Sequence, residues 1–448
     1  MGETFLLSFG VLLEIARLVC TPILIIIGLF CVSCWLSGEC AFLWGEYVGP
    51  PGSLPSGTLP TKISFWHSPL FASSGNYRIC VIDTDSSVTT LWENSDPYFY
   101  LTWSPDGSKI MFKTILEPWK GCVVNSDGSQ VVQLPARIDW LPEWSPDSRK
   151  LLGVSSQTYY RRDLDCVGGD IYAVNSDGTG LVKLTTRSAC YDDVRWSSDG
   201  KRIAFSVSEA NRPHDDATYV MPASGLPVGA QAIRLTNRPL HKVIDLQWSP
   251  DGSRIAILHT LGQKEHQWFR VGLLVVRSDG GGDICAKPVV SSHAYEGRFA
   301  WSPNGDHIAF AYEHHDAGQA LVSVCIMDAS CTEVISSGLS SVAVIGFGTW
   351  PDFAWSPDSN KLAFTNNPDL EHGSRYEAPW EIWVMNRDGS GLTRLSAGDD
   401  RWPAWSPNGA KIAFIRRREV YVMNADGSQQ TRVTFGPGSV SDFSWAPR

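Results

Sequence analysis

Short apolar runs separated by clusters of polar, proline and glycine residues follow one another along most of this chain. The clearest example begins at Trp103-Ser104-Pro105-Asp106-Gly107 and continues into the apolar run Lys109–Phe112. The tryptophan phrase recurs at Trp144, Trp196, Trp248, Trp301, Trp355, Trp405 and Trp445. Successive tryptophans are 41, 52, 52, 53, 54, 50 and 40 residues apart. A period of about 50 residues with a fixed internal pattern predicts a repeat architecture.

Each repeat contains three strand patterns in a fixed order and a weaker fourth one. A strand that ends in the tryptophan phrase precedes a Lys-Ile-Ala-Phe strand, and an Ile-Tyr-Val-Met strand ending in Asn-Ala-Asp-Gly comes third. Pro-Asp-Gly and Asp-Gly between apolar strands are turn sequences. We therefore interpret the repeat aspartates as turn residues rather than as metal ligands or acids. Ser198 replaces the proline in one repeat, and Ser148 and Ser359 replace the glycine in two others, so we expect looser turns in all three.

The two ends of the repeat region complement each other. The second strand pattern first appears at Lys62–Phe65 without a tryptophan phrase before it, and Trp445 has no second strand after it. Pairing of the N- and C-terminal strands would close a ring, and residues 62–448 provide about 48 residues for each of eight blades. The predicted fold is all-β: an eight-bladed β-propeller over residues 62–448, preceded by one N-terminal transmembrane helix.

The N-terminal region has its own pattern. Residues 18–36 contain no charged side chain over nineteen positions, which is enough for a transmembrane helix acting as a signal anchor. It follows an N-terminal segment, 1–17, and precedes a linker, 37–61, which is rich in glycine, proline and serine from residue 45. Arg17 is the only basic residue before the span and Lys62 the first after it, which favours a cytoplasmic N-terminus.

The predicted location is therefore the cell membrane, single-pass, with the propeller extracytoplasmic, either periplasmic or extracellular. A cleaved signal peptide and a lipoprotein modified at Cys34 remain open as alternatives. Cys166 and Cys190 fall in the two long loops of one blade, and we expect a disulfide between them if the propeller lies outside the cytoplasm.

The composition of the chain limits the classes of partner that we expect it to bind. The net charge is −10 and the chain has no long basic run, which argues against a nucleic-acid partner. Phosphate-cradling glycine-rich loops are absent from the sequence, so we predict no cofactor. A hydrophobic content of 43% is sufficient for a large core.

The phrases Trp-Ser-Pro-Asp-Gly, Lys-Ile-Ala-Phe and Tyr-Val-Met-Asn-Ala-Asp-Gly resemble the WD40-like repeat of TolB-type β-propellers over nearly all of residues 62–448. This resemblance implies an extracytoplasmic propeller, often one that binds protein. The chain differs from TolB itself, because we count eight blades where TolB has six and find no N-terminal α/β domain. Similar propellers also precede the hydrolase domain of prolyl-oligopeptidase-type peptidases.

Strand order assigns the connections to two faces. The turns after the first and third strands share one face, which we call the turn face, and the longer connections after the second and fourth strands share the other, which we call the long-loop face. The expected long loops include Leu258–Arg270 and Ala311–Leu321. Binding residues concentrate in variable loops on rigid scaffolds, and aromatic and arginine side chains are common at interfaces. The candidate binding residues are His67, Tyr159, Tyr160, Arg161, His214, His266, Trp268, Arg270, His314, His315, His372, Tyr376 and Trp380.

Two function classes follow. The preferred hypothesis is a binding or scaffold module for a protein, peptide or glycan, which uses the long-loop face and is not an enzyme. The alternative is a metal-dependent or acid/base enzyme, of the polysaccharide lyase or hydrolase type, with a site at the central channel. The clusters at 214–216, 314–316 and 369–372 contain metal-ligand side chains without the spacing of known zinc or calcium sites, so we predict no metal. We find no Gly-x-Ser-x-Gly nucleophile motif, and we expect no hydrolase domain after the last repeat.

Overall fold

The computed structural model describes residues 59–68, 77–85, 87–94, 98–114, 121–136, 138, 140–155, 168–208, 216–227, 229–236, 240, 242–265, 268–291, 299–316, 319–342, 351–367, 379–434 and 439–447. The predicted N-terminal segment, transmembrane helix and most of the linker lie outside these residues. Within the described ranges, no helix has both the length and the apolar character that crossing a bilayer requires.

The described residues form 32 strands in eight four-stranded antiparallel sheets, which are the blades. In chain order the strands are β1 (Ile63–Ser68), β2 (Tyr77–Ile82), β3 (Val88–Asn94), β4 (Tyr98–Trp103), β5 (Lys109–Thr114), β6 (Gly121–Asn125), β7 (Val132–Gln133), β8 (Trp140–Trp144), β9 (Lys150–Ser155), β10 (Asp170–Asn175), β11 (Val182–Lys183), β12 (Cys190–Trp196), β13 (Arg202–Ser208), β14 (Ala217–Pro222), β15 (Ile233–Arg234), β16 (Val243–Trp248), β17 (Arg254–Glu265), β18 (Trp268–Arg277), β19 (Asp283–Ser291), β20 (Phe299–Trp301), β21 (His307–Asp316), β22 (Gln319–Asp328), β23 (Val334–Val342), β24 (Phe353–Trp355), β25 (Lys361–Asn366), β26 (Glu381–Asn386), β27 (Thr393–Arg394), β28 (Asp400–Trp405), β29 (Lys411–Arg416), β30 (Glu419–Asn424), β31 (Thr431–Arg432) and β32 (Ser439–Trp445).

Blade 1 joins the two ends of the chain. Its strand order is β32-β1-β2-β3, and blades 2 to 8 each take the next four strands in sequence, from β4–β7 to β28–β31. The β32–β1 register pairs Trp445 with Ile63 and Phe443 with Phe65. The strand that carries the repeat tryptophan lies at one edge of every sheet and contacts its counterpart in the next blade, as β12 contacts β16, so these strands line the central channel. The predicted eight blades and ring closure are confirmed.

The repeat phrase folds as a turn, as its residue types predict. In blade 3 the Ser145 hydroxyl donates to Asp147 Oδ1 at 2.6 Å, and the backbone N–H of Arg149 donates to the same oxygen at 3.1 Å. These hydrogen bonds, with that from Ser145 the strongest, lower the pKa of Asp147. The Asp147 carboxylate therefore stabilises the turn in which it lies.

The two serines that replace the turn glycine do not loosen their turns, so that prediction is wrong. Ser148 and Ser359 adopt the left-handed conformation, with φ of 63° and 62°, and keep the same backbone bond as the glycine turns. Each hydroxyl also accepts a hydrogen bond at 3.0 Å from a backbone N–H in the preceding blade, at Asp106 and Asn304 respectively. This added bond between blades offsets part of the cost of the left-handed backbone.

The repeat tryptophans are buried between blades and connect them by hydrogen bonds. In seven of the eight blades the indole N–H donates to the carbonyl of the residue that precedes the tryptophan of the preceding blade, at distances from 3.0 to 3.4 Å. Blade 4 differs. The buried Nε1 of Trp196 has no partner among the described residues, and its backbone N–H donates to Glu143 Oε2 at 2.8 Å.

This exception allows a matched test of the indole bonds. Trp355→Phe removes a donor at 3.1 Å from the Ala300 carbonyl, whereas Trp196→Phe removes an indole N–H that has no partner among the described residues. Both tryptophans are about equally buried, at 8% and 7% exposure. We expect Trp355→Phe to lower the free energy of unfolding by about 1–2 kcal/mol more than Trp196→Phe, because it leaves a carbonyl unsatisfied. Urea unfolding of both variants measures this, and equal losses would contradict it.

Two neighbouring blades depart from the others in size. The β17–β18 hairpin of blade 5 has strands of 12 and 10 residues, and the β21–β22 hairpin of blade 6 has two strands of 10. The predicted loops Leu258–Arg270 and Ala311–Leu321 are therefore mainly strand, which corrects the sequence interpretation. The backbone pairing continues to Glu265 and Trp268 in one hairpin and to Asp316 and Gln319 in the other, although the residues near the tips are mostly polar. Both hairpins extend on the long-loop face.

Candidate functional site

The channel wall is asymmetric. The residue before each repeat tryptophan is partly exposed while the tryptophan itself is buried. This residue is polar in four consecutive blades and small in the other four. In blades 2 to 5 it is Thr102, Glu143, Arg195 and Gln247, and in blades 6 to 8 and blade 1 it is Ala300, Ala354, Ala404 and Ser444. At this position the larger polar side chains are therefore concentrated on one side of the ring.

The larger polar side chains reach the innermost strand of the next blade. Arg195 Nε donates to the Leu246 carbonyl at 3.4 Å, and Gln247 Nε2 donates to the Phe299 carbonyl at 3.0 Å. Glu143 makes the equivalent connection as an acceptor from the Trp196 backbone. These contacts are made in the same direction around the ring, so they connect blades 3 to 6 in series.

A charged group, which we call the channel cluster, consists of Glu143, Asp193, Arg195 and Asp245. Arg195 Nη2 lies 3.2 Å from Asp193 Oδ1 and 3.3 Å from Asp245 Oδ1. Asp245 Oδ2 also accepts from Gln247 Nε2 at 3.0 Å. The three carboxyl groups outnumber the single guanidinium, so the cluster carries excess negative charge when all are ionised.

Enclosure by the ring changes the acidity of these groups. Burial raises the pKa of Glu143 to about 7, and the charges of Asp193 and Asp245 add to this, while Arg195 opposes it. Burial also disfavours the charge of Arg195, but the surrounding carboxylates outweigh it and raise the pKa of the guanidinium. The pKa of Asp442, on β32, is raised to about 6 by the same desolvation. The Asp442 side chain is itself exposed, so this desolvation comes from the surrounding protein, which limits the bulk solvent around the carboxyl group.

Three channel residues have left-handed backbones. Tyr100, Asp193 and Trp402 stand three positions before their repeat tryptophans, in register irregularities of β4, β12 and β28, with φ of 67°, 25° and 55°. Bulky side chains rarely adopt this conformation, and such strain concentrates at functional sites. The Trp402 side chain is 40% exposed, which is high for a tryptophan on an innermost strand.

Glu143 makes the stability of the propeller depend on pH. Its folded pKa of about 7 exceeds its ordinary value of 4.5, so the folded state binds more protons between these values and stability falls as pH rises through them. Glu143→Gln cannot ionise, and its amide oxygen can still accept from Trp196. We expect it to be more stable than the wild type by about 3 kcal/mol at pH 8 and equally stable near pH 4.

Urea unfolding at both pH values measures the effect of Glu143→Gln. Glu93→Gln is the matched control, because Glu93 is exposed and paired with Arg78 at the surface. A pH-independent difference between Glu143→Gln and the wild type would show that ionisation of this carboxyl is not the cause.

Only two of the predicted binding residues have described side chains. His67 lies on β1 and is partly buried, and burial together with the charge of Arg78 lowers its pKa. Trp380, which directly precedes β26 of blade 7, is only 4% exposed and lies under the guanidinium of Arg401, on β28 of blade 8, at 5.1 Å, so it is buried rather than presented to a ligand. The positions of Trp268 and Arg270 are on β18, and those of His314 and His315 are on β21. Outside the described residues lie Tyr159, Tyr160, Arg161, His214, His266, His372 and Tyr376.

The structure contains a disulfide that the sequence interpretation missed. Cys285 on β19 of blade 5 is bonded to Cys331 in the turn after β22 of blade 6. Cys331 stands where other repeats have the turn glycine, and it has a left-handed φ of 58°. That substitution was the signal in the sequence. Cys190 is also disulfide-bonded, and its predicted partner Cys166 lies outside the described residues.

The part of the chain that the structure describes contains no group of three or more His, Cys, Asp or Glu side chains arranged to hold a metal ion. The sequence interpretation also missed the channel cluster, because it searched the long loops for chemistry. The signal was the residue before each repeat tryptophan, whose identity changes sharply between the two halves of the ring.

Two protein families match the chain. The TolB beta propeller domain matches residues 55–339, and the N-terminal region of dipeptidyl peptidase IV matches residues 369–443. Together they cover most of the blades.

Similar proteins include an uncharacterised peptidase of Bacillus subtilis, YuxL, which is 31% identical over 125 residues, 28% of this chain and 18% of that protein. An uncharacterised protein of Agrobacterium fabrum, Atu1656, is 25% identical over 283 residues, 61% of this chain and 83% of that protein. The chain thus spans less than a fifth of the peptidase that it matches. A crystal structure of a eukaryotic initiation factor superposes with a TM-score of 0.50 at 12% identity, covering 85% of each chain, which shows a shared fold alone.

Proposed function

This chain belongs to the TolB β-propeller domain family, and from that premise we propose that it is an extracytoplasmic binding module, anchored to the cell membrane by residues 18–36. Its ligand is a protein, peptide or glycan held on the long-loop face. The turn face repeats the same short turns around the ring, whereas the two extended hairpins on the long-loop face break the repetition. Variable segments on a rigid scaffold are where binding residues concentrate.

The observation that carries this proposal is the position of the two extended hairpins. They come from adjacent blades and extend beyond the shorter hairpins of the other described blades, which gives a partner more surface on the long-loop face. The predicted residues Trp268, Arg270, His314 and His315 lie on these hairpins. An aromatic and basic composition of this kind suits a binding surface.

Disulfide bonding supports the location. Cys285 is bonded to Cys331, and Cys190 is bonded as well. Disulfides persist in oxidising compartments and are rare in the cytosol. Together with the uncharged stretch at 18–36, this favours a propeller held outside the cytoplasm.

Site-specific photo-cross-linking of the full chain in its membrane tests the proposal. A cross-linking amino acid at Trp268 or Arg270 is expected to trap a partner, whereas the same amino acid at Lys201, exposed on the turn face, is expected to trap none. A glycan array with purified full-length protein covers ligands that the cross-linker misses. Capture from Lys201 but not from Trp268 or Arg270 would place the binding surface on the turn face and contradict the proposal.

A second candidate function is acid/base hydrolysis or elimination in the channel. The observation in its favour is Glu143, whose pKa of about 7 suits a general acid or base near neutral pH. Similarity to an uncharacterised peptidase is consistent with a hydrolase. Turnover of a peptide and polysaccharide panel that is lost in Glu143→Gln would support it, and absence of turnover by the wild type would exclude it for those substrates.

A further inference from the structure

The hairpin between β29 and β30 has an unusual turn. Arg416 pairs with Glu419, so only Arg417 and Arg418 form the connection. Both have positive φ, 50° and 65°, as a type I′ turn requires. Asn-Gly is the usual sequence for this turn, since a side chain in the left-handed region costs roughly 1–2 kcal/mol per residue. Two arginines therefore occupy positions where they are disfavoured by backbone conformation.

The side chains of this turn are available to a ligand. Arg417 and Arg418 are both exposed, and neither side chain has a bonding partner among the residues that the structure describes. The turn connects the second and third strands of blade 8, so it lies on the long-loop face. Two adjacent unpaired guanidinium groups stand out in a chain whose net charge is −10.

A pocket of about 780 Å³ opens beside this turn. We call it the arginine pocket, and its lining includes Arg394, Ser396, Gly398, Arg416, Arg417 and Tyr421. Its volume is in the range of ligand-binding pockets. Blades 7 and 8 both contribute, because Arg394 ends β27 and Arg416 ends β29.

One side of the arginine pocket is rigid. Arg416 donates from Nε and Nη2 to the two oxygens of buried Asp400, at 2.6 and 2.8 Å, and its guanidinium lies 5.1 Å from the ring of Tyr421. Gly398 covers this pair so closely that a Cβ atom there would come within 2.6 Å of Arg416 Nε. The guanidinium donors of Arg416 that point to Asp400 are thus used within the fold. Contacts with a ligand would therefore be made mainly by the other arginines.

The other arginines keep free donors. Arg394 gives only Nη1 to Glu381, at 3.0 Å, and its side chain is 53% exposed. Arg417 gives none. A carboxylate accepts two parallel N–H bonds from one guanidinium, and such pairs are among the stronger hydrogen bonds in proteins. Asp399, which also lines the pocket, repels a dianion more than it repels a single carboxylate.

We propose that the arginine pocket and the adjacent Arg417-Arg418 turn bind the carboxylate side chains of an acidic peptide segment. This inference rests on the proposed function, because it names the ligand chemistry on the same long-loop face. A peptide is favoured over an isolated anion because the donors are spread along a pocket and a neighbouring turn, which several glutamates or aspartates in one chain can engage together.

Fluorescence anisotropy with the full-length protein and a labelled glutamate-rich peptide tests this. The same peptide with glutamine at every glutamate position is the ligand control. We expect the glutamate peptide to bind, the glutamine peptide to bind far more weakly, and added salt to weaken binding. Inorganic phosphate at matched ionic strength is expected to compete no better than chloride.

The decisive variant is Arg417→Asn with Arg418→Gly, which restores the favoured turn sequence. It should weaken peptide binding by about tenfold through loss of charge-assisted hydrogen bonds, while its Tm rises because backbone strain is relieved. Arg149→Gln with Lys201→Gln removes the same charge from exposed sites on the turn face and should leave binding unchanged.

Equal loss in the two double variants, equal binding of the two peptides, or strong competition by phosphate would each overturn the arginine-pocket proposal. Photo-cross-linking at Trp268 or Arg270 reports on the proposed function separately. If a partner is trapped there while the glutamate peptide fails to bind, only the arginine-pocket inference fails.

Discussion

Trp445→Ala is expected to lower the free energy of unfolding by about 3–5 kcal/mol, the usual cost of truncating a buried tryptophan. Trp445 is 7% exposed and packs in one cluster with Ile63 and Phe65. Its indole N–H also donates to the Ala404 carbonyl at 3.0 Å. It therefore joins the last strand both to the first strand and to blade 8. Since typical domains are stable by only about 5–15 kcal/mol, this is a large fraction.

The location of the damage distinguishes ring closure from general loss of packing. Hydrogen exchange should increase first at Ile63–Ser68 and Ser439–Trp445, whose pairing closes the ring. Trp402→Ala is the control, because Trp402 is 40% exposed and contributes to no core cluster of the described residues, so we expect a loss of less than about 1 kcal/mol. Equal losses in the two variants, or unchanged protection of β1, would contradict the closure argument.

Removing the disulfide between blades 5 and 6 is expected to cost about 4 kcal/mol, because the Cys285–Cys331 bond spans 46 residues of sequence and restricts the unfolded chain accordingly. The double variant Cys285→Ala with Cys331→Ala tests this by urea unfolding under oxidising conditions. Cys285 lies on β19, which runs beside the extended β21, so the bond joins the two blades that carry the extended hairpins.

Reduction of the wild type should cause a larger loss, because it also breaks the disulfide of Cys190. The double variant should still respond to a reductant, but less, because the disulfide of Cys190 remains. A variant with Cys190→Ala isolates that second contribution. Unchanged stability of the Cys285→Ala, Cys331→Ala variant would show that packing between blades 5 and 6, rather than the disulfide, holds them together.

Much of the fold could be predicted because its information is local and repeated. The offset between the first Lys-Ile-Ser-Phe run and the last tryptophan phrase is enough to predict the pairing of β1 with β32. The role of the repeat aspartates in turns could also be predicted, since Ser145 and Asp147, which are two residues apart, are joined by a hydrogen bond. The regular repeat also led to two wrong predictions. The residues of the longer strands β17 and β21 were assigned in part to loops, and the turn at Ser148 was expected to be loose.

The candidate site was much less predictable. Glu143 and Arg195 are 52 positions apart and belong to separate repeats, and their common environment exists only where innermost strands converge. The charge on Glu143 depends on enclosure by neighbouring blades, which no local pattern encodes. Trp380 shows the reverse case, because an aromatic residue in a long-loop region can equally be buried, and its exposure of 4% is decided by packing.

The sequence by itself determined the repeat and the turn residues, because these depend on hydrogen bonds and apolar alternation within a few residues. The number of blades and the closure of the ring by β1 and β32 followed from the count of the repeats and the offset between their two ends. Only the tertiary structure decided the rest: the missing indole bond at Trp196 among the described residues, the raised pKa of Glu143, the Cys285–Cys331 bond and the arginine pocket between blades 7 and 8. These features arise between blades, where residues from distant repeats meet, and desolvation and partner geometry there depend on the assembled ring.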